Sequence, residues 1–177
     1  MSTITQKICL LGDFSVGKTS LVRRFIEDKF SDRYLSTVGV KVSRKLVEVK
    51  TEIETHQINL LIWDLEGNTK FKSIAPSYLK GASSSIIVGD LSRSDTLSNL
   101  TQHLRLFWEI NPQGQVAVAL NKADLIPPEK LAKLVENYQL DNFPRVIGVY
   151  TTSAKTGDRI EQMFEDIATV LIPARKP

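Results

Sequence analysis

The sequence predicts a three-layer α/β fold: a six-stranded mixed sheet, mostly parallel, flanked by five helices. Three observations predict it. Short apolar runs of strand length alternate with longer segments whose apolar residues recur at helical spacing. Such alternation gives a parallel sheet covered on both faces. The first apolar run, Ile8-Cys9-Leu10-Leu11, passes directly into the glycine-bounded turn Gly12 to Gly17, where a strand hands over to a helix. The link from Thr51 to His56 is too short for a crossover, so the strands it joins should be antiparallel.

The elements follow in order. Strands are expected near 4–11, 42–50, 57–64, 84–90, 115–121 and 146–151. The runs Val116 to Leu120 and Val146 to Tyr150 carry almost no polar residue, as in strands buried on both faces. From Lys41 to Lys50 basic residues alternate with Val and Leu, as in a half-exposed strand. Helices are expected near 18–28, 69–80, 94–109, 128–138 and 158–172. The third places Leu97, Leu100, Leu104 and Phe107 on one face, and the last does so with Ile160, Met163, Phe164, Ile167 and Val170. Asp158 and Glu161 have the spacing of a capping box at the start of the last helix. Trp108 is expected against the core, and Trp63 either in the core or exposed for partners. His56 and His103 lack a metal-spaced partner and are expected at the surface.

The stretch Gly12-Asp13-Phe14-Ser15-Val16-Gly17-Lys18-Thr19 fits the phosphate-binding pattern G-x-x-x-x-G-K-[ST]. Its glycines let successive N–H groups point inward at phosphate oxygens. Lys18 can reach the β and γ phosphates, and the Thr19 hydroxyl can hold Mg²⁺. The helix that follows aims its positive end at the same anion. Farther along, Asp64 ends an apolar strand and can hold Mg²⁺ through water. Gly67 can bring its N–H to a γ-phosphate, and Thr37, in a polar loop, offers a second hydroxyl for the metal.

Base selection is expected from Asn121-Lys122-Ala123-Asp124 at the end of the fifth strand. A carboxylate accepts two N–H bonds from guanine N1 and N2, and adenine offers no such pair. Asp124 therefore selects guanine, and rejection of a ligand that leaves a polar group unpaired reaches ~10⁴ in favourable cases. Asn121 would tie this loop to the phosphate loop, and the Lys122 stem would cover one face of the base. The segment Thr152-Ser153-Ala154-Lys155 would offer the Ala154 N–H to guanine O6. An ATP-using phosphotransferase shares the phosphate loop, but Asn121-Lys122-Ala123-Asp124 argues against it.

At 177 residues the chain is expected to form a single domain, residues 1–177. A 42% apolar and 24% charged composition is that of a globular protein. The net charge of +3 is mild and its Lys and Arg are dispersed, so no nucleic-acid partner is expected. One cysteine, Cys9, allows no internal disulfide and fits a cytoplasmic location. No signal peptide is expected, and no apolar run in the sequence reaches membrane-spanning length.

Together, Gly12 to Thr19, Thr37, Asp64-Leu65-Glu66-Gly67, Asn121 to Asp124 and Thr152 to Lys155 resemble the small GTPases, most closely the Rab branch. Lys29 to Gly39 resembles the Rab effector loop, and Ile62-Trp63-Asp64 and Ser77 to Ala82 add to the likeness, which runs from about Ile8 to Ile172. The resemblance implies a P-loop NTPase G domain that binds GTP and GDP with Mg²⁺ and hydrolyses GTP. It implies a nucleotide site of Asp13, Phe14, Ser15, Val16, Gly17, Lys18, Thr19, Ser20, Phe30, Tyr34, Thr37, Gly67, Asn121, Lys122, Asp124, Ser153, Ala154 and Lys155. Thr19, Thr37 and Asp64 would serve the metal, and Lys18, Gly67 and Asn68 the chemistry. Effectors, exchange factors and GTPase-activating proteins would read the segments near 32–41 and 65–78. Rab relatives usually carry prenylated C-terminal cysteines; these residues end Ala174-Arg175-Lys176-Pro177, so no direct membrane anchor is expected in this chain.

Four positions depart from the family pattern. Asn68 stands where the family has the Gln that orients the attacking water, and its amide reaches roughly 1–1.5 Å less far. Catalysis by positioning loses on the order of 10²-fold from such a shift, so intrinsic hydrolysis is expected to be slow unless the backbone moves to compensate. The alternative is a hydrolysis-deficient binding module held in one nucleotide state. Glu66 replaces a small residue: it points outward, pairs with Lys70 or Lys72, or weakens triphosphate binding. Phe14 replaces a small residue and either obstructs an incoming arginine or packs on a switch segment. Trp63 and Tyr78 match two positions of the Rab partner-binding aromatic triad, but Val42 stands where the Phe would be.

Overall fold

The computed structural model describes residues 3–33, 36–67, 75–138 and 140–173. Among them lie β1 (Thr3–Gly12), α1 (Lys18–Glu27), β2 (Val40–Lys50), β3 (Thr55–Leu65) and α2 (Ala75–Leu79). Then come β4 (Ser84–Asp90), α3 (Ser94–Ser98), α4 (Leu100–Ile110), β5 (Gln115–Asn121), α5 (Pro128–Glu136), β6 (Val146–Thr151) and α6 (Ile160–Val170). The strand order is β2-β3-β1-β4-β5-β6. The β2–β3 pair is antiparallel and every other pair parallel, as the short connection requires.

Period-two alternation builds the two faces. In β1, Ile8 and Leu10 join a core with Leu21, Val22 and Phe25 of α1 and Met163, Phe164 and Ile167 of α6. Cys9 and Leu11 point the other way, to Leu79 of α2 and Leu97, Leu100, Leu104 and Phe107 of α3 and α4. Phe25 and Phe164 stack at 3.8 Å with rings 3° from parallel, which locks α1 to α6. The helix expected over 94–109 is two segments broken at Asn99 (φ −85°, ψ −8°). The Asn99 side chain at this break donates Nδ2–H to Asp13 Oδ2 at 2.7 Å. Trp108 is half-buried against the α4 side of the core and donates Nε1–H to the Gly114 carbonyl at 2.9 Å.

Several expectations are corrected. No capping box forms: Arg159, at φ 54°, takes the cap position, and no side chain caps α6. The Asp158 carbonyl accepts the Ser153 N–H instead. Val170 is exposed, because the apolar stripe steps from Ile167 and Ala168 to Leu171 and leaves Val170 off it. His103 is not a free surface residue; its side chain is 14% exposed and bonded to Asp13. His56 is half-buried and faces Glu54 at 3.5 Å. Trp63 is half-buried, tilted on Tyr78 and covered by the Lys7 ammonium at 3.9 Å. Among the described residues no helix is long and apolar enough to cross a membrane. Of the helix expected at 69–80, only Ala75–Leu79 falls within the described residues.

Candidate functional site

The order β3-β1-β4 puts β1 between neighbours whose connections run in opposite directions, and ligands bind outside the carboxyl ends of strands at such a point. A cavity of about 320 Å³ lies there. Its phosphate-loop wall is Phe14, Ser15, Gly17, Lys18, Thr19 and Ser20, joined by Thr37 and Gly67. Its other end is Phe30, Asn121, Lys122, Asp124, Ala154 and Lys155.

The phosphate loop is held from several sides. Gly17 begins α1 in the left-handed region (φ 101°), and a Cβ there would meet Asn121 Nδ2 at 2.3 Å, so only glycine fits. Asn121 is buried; its Nδ2 donates to the Val16 carbonyl at 2.9 Å, and its Oδ1 accepts from Thr152 Oγ1 at 3.2 Å. Val16 turns its own side chain into the core. Lys122 Nζ donates to the Ser15 carbonyl at 2.9 Å and to Asp90 Oδ2 at 2.6 Å. Arg93 Nη2 donates to the Phe14 carbonyl at 2.7 Å. The Asp13 carboxylate faces outward from the cavity wall, accepting Asn99 Nδ2 at 2.7 Å and meeting His103 Nε2 at 2.9 Å. Burial pushes Asp13 up, but the bonds from Asn99 and His103 and the charges of His103 and Lys18 outweigh it and hold it below the usual carboxylate range.

Lys18 is buried and donates to the Gly12 and Asp13 carbonyls at 2.9 and 2.8 Å. Desolvation brings its pKa down to about 8 against the opposing pull of Asp64 and Asp13. Beside it, Thr19 Oγ1 lies 2.7 Å from Thr37 Oγ1 and donates to Asp64 Oδ2 at 2.5 Å; Thr37 Oγ1 is 3.4 Å from the same oxygen. Asp64 is buried, and burial pushes its pKa up despite the Thr19 bond and the Lys18 charge. Its Oδ1 has no hydrogen-bond partner among the described residues. An orphaned buried carboxylate oxygen beside two convergent hydroxyls is a hard-oxygen donor set, and it fits Mg²⁺. Gly67 rests on the phosphate loop; a Cβ there would stand 2.5 Å from Lys18 Nζ and 2.7 Å from the Asp13 carbonyl oxygen.

At the base end, Ser153 Oγ donates to Asp124 Oδ1 at 2.6 Å and fixes that carboxylate on the cavity wall. The Ala154 N–H, expected to meet the base, donates to Asn121 Oδ1 at 3.3 Å. Arg24 of α1 clamps this loop through the Ala154 and Lys155 carbonyls at 2.9 and 2.6 Å. Tyr34 and Asn68 lie outside the described residues, as do Lys70 and Lys72.

Sequence reading missed Asp90, Arg93, Asn99, His103 and Arg24. Asp90 carried a usable signal, a carboxylate ending an apolar strand as Asp64 does. Asn99 and His103 carried another, four residues apart and so on one helical face.

A phosphate loop, a hard-oxygen donor set and an anchored carboxylate on the wall of one cavity form a candidate nucleotide site. A family model described as the Roc (Ras of Complex) domain of DAPkinase matches residues 7–124. Human Ras-related protein Rab-22A is 34% identical over 164 residues, covering 92% of this chain and 81% of that protein. Rat Ras-related protein Rab-31 is 35% identical over 174 residues, covering 94% and 83%. The GTP-binding protein ypt5 of Schizosaccharomyces pombe is 34% identical over 172 residues, covering 96% and 79%. The chain belongs to the Rab-like small GTPases, a family of GTP-binding, GTP-hydrolysing switch proteins.

Proposed function

We propose that this chain is one G domain that cycles between GTP and GDP states with slow intrinsic hydrolysis. The observation that carries the reading is that one cavity has Lys18, Thr19, Thr37 and Gly67 at one end and Asp124 at the other. The loop from Asp13 to Thr19, with Ser20, binds the phosphates. Guanine lies between Phe30 and Lys122, read by Asp124 and, once Ala154 exchanges its long bond to Asn121, by the Ala154 N–H. Thr19 and Thr37 would hold Mg²⁺, with Asp64 beside them, and the ion would supply positive charge against the phosphates. Lys18 contributes fixed charge at the same phosphates. Asn68 replaces a water-orienting Gln with a shorter amide, and that carries the slow rate.

The γ-phosphate orders the segments near 32–41 and 65–78, and effectors, exchange factors and GTPase-activating proteins read that difference. Phe14, 47% exposed above the phosphate loop, stands in the way of an arginine arriving in trans. Single-turnover GTP hydrolysis tests the rate: Asn68→Gln is expected to be on the order of 10²-fold faster than the wild type. Equal rates refute the slow-switch reading.

A further inference from the structure

We infer that Glu66 is a positioning residue for the triphosphate- and metal-bound state, acting through Gly39 on Thr37. The β2–β3 ladder ends at the pair Val40 and Leu65. One step beyond it, the Glu66 N–H donates to the Gly39 carbonyl at 2.9 Å. The Gly39 N–H returns a bond of 2.9 Å, to the side-chain Oε2 of Glu66. The carboxylate thus supplies the acceptor that adds a rung to the sheet. Gly39 adopts φ +73°, a turn that glycine makes without strain.

The rung lies two residues from Thr37, whose hydroxyl meets Thr19 and Asp64. The loop carrying Thr37 is therefore tied at two points, at the donor set and at Glu66. On the other side, Gly67 rests against Asp13 and Lys18. Glu66 thereby links both segments expected to move with nucleotide state to each other and to the phosphate loop. An alanine at 66 has no acceptor to offer the Gly39 N–H. The bond sets the carboxylate's task as that of an acceptor for an amide, not a repeller of phosphate.

This rests on the GTP- and Mg²⁺-binding reading above, and the test separates the two. Exchange-driven release of a fluorescent, non-hydrolysable GTP analogue and of GDP would be measured for the wild type, Glu66→Ala, Glu66→Gln and Glu66→Asp over a range of Mg²⁺. Losing a hydrogen bond to a charged, half-exposed acceptor raises the ratio of analogue release to GDP release on the order of tenfold in Glu66→Ala. Glu66→Asp, too short to reach, behaves the same way, while Glu66→Gln keeps the wild-type ratio because its amide oxygen still accepts. Glu66→Gln behaving like Glu66→Ala overturns the inference, as does tighter analogue binding by either, since charge would then be the cause. Unchanged ratios in all three also overturn it. Hydrogen exchange at the Gly39 amide in nucleotide-free protein reads the bond without any ligand. Faster exchange in Glu66→Asp with protection kept in Glu66→Gln supports the bond even if the guanine reading fails, and equal exchange refutes it. The Gln and Asp variants decide the matter if the Ala variant does not fold.

Discussion

Replacing Asp90 by asparagine is expected to loosen the phosphate loop from behind. Asp90 is buried at the end of β4; its Oδ1 accepts the Ser92 N–H at 2.9 Å and Ser92 Oγ at 2.6 Å. Its Oδ2 takes Lys122 at 2.6 Å, with Arg93 Nε 3.3 Å away. An asparagine can keep the Ser92 bonds only by turning its NH₂ toward two cations. One good charge-assisted bond is lost, worth about 1.5–3 kcal/mol. Lys122 and Arg93 are each about a third exposed, so water takes up part of the released charge and the lower half of that range applies. A loss of about 2 kcal/mol lowers Tm by roughly 4–8 °C in a chain of this size.

Scanning calorimetry over a pH series measures it. Burial pushes Asp90 up, but the Lys122 and Ser92 bonds and the Lys122 charge hold its folded pKa below the unfolded value. The stabilisation is therefore complete above the unfolded pKa of about 3.9 and is lost as pH falls through the lower, folded value. The gap between wild type and Asp90→Asn should be full at pH 7 and close only in strong acid. Because Lys122 also holds the Ser15 carbonyl, GDP release should quicken in the same variant. A variant that melts with the wild type at neutral pH, or a gap that persists unchanged in strong acid, refutes the argument.

Two further outcomes follow from the same geometry. Nucleotide affinity should be level at neutral pH and fall above about 8, because uncomplexed Lys18 titrates there while bound phosphate anion raises its pKa, so that binding takes up a proton. Isothermal titration in buffers of differing ionisation enthalpy reads the uptake directly, and none at pH 8 contradicts the burial of Lys18. Phe164→Ala removes one ring of the Phe25 stack from a fully buried site and should cost about 3–5 kcal/mol, visible as a lower urea midpoint; a loss under 1 kcal/mol would mean that α6 is not locked through this contact.

Much of this is legible in the sequence. The strands near 84–90, 115–121 and 146–151 are apolar runs with sharp polar ends, and the folded strands have those limits. The sequence places Asn121 as a tie to the phosphate loop, and its buried amide finds the Val16 carbonyl there. What sequence could not supply were partners brought together by tertiary approach. His103 is one turn of helix past Asn99, but nothing local says that Asp13 lies opposite both. For Glu66 the sequence leaves three roles open, and none of them includes Gly39, which lies across from it 27 residues away. The capping box failed for a local reason instead: Gly157 and Arg159 both take positive φ and displace Asp158 from the cap.

The most direct measurement is calorimetric titration of nucleotide-free protein with GTP and, separately, with ATP. With Asp124 held by Ser153 at the cavity wall, the account predicts that GTP binds ~10⁴-fold more tightly or better. Comparable affinities for the two purines would contradict it.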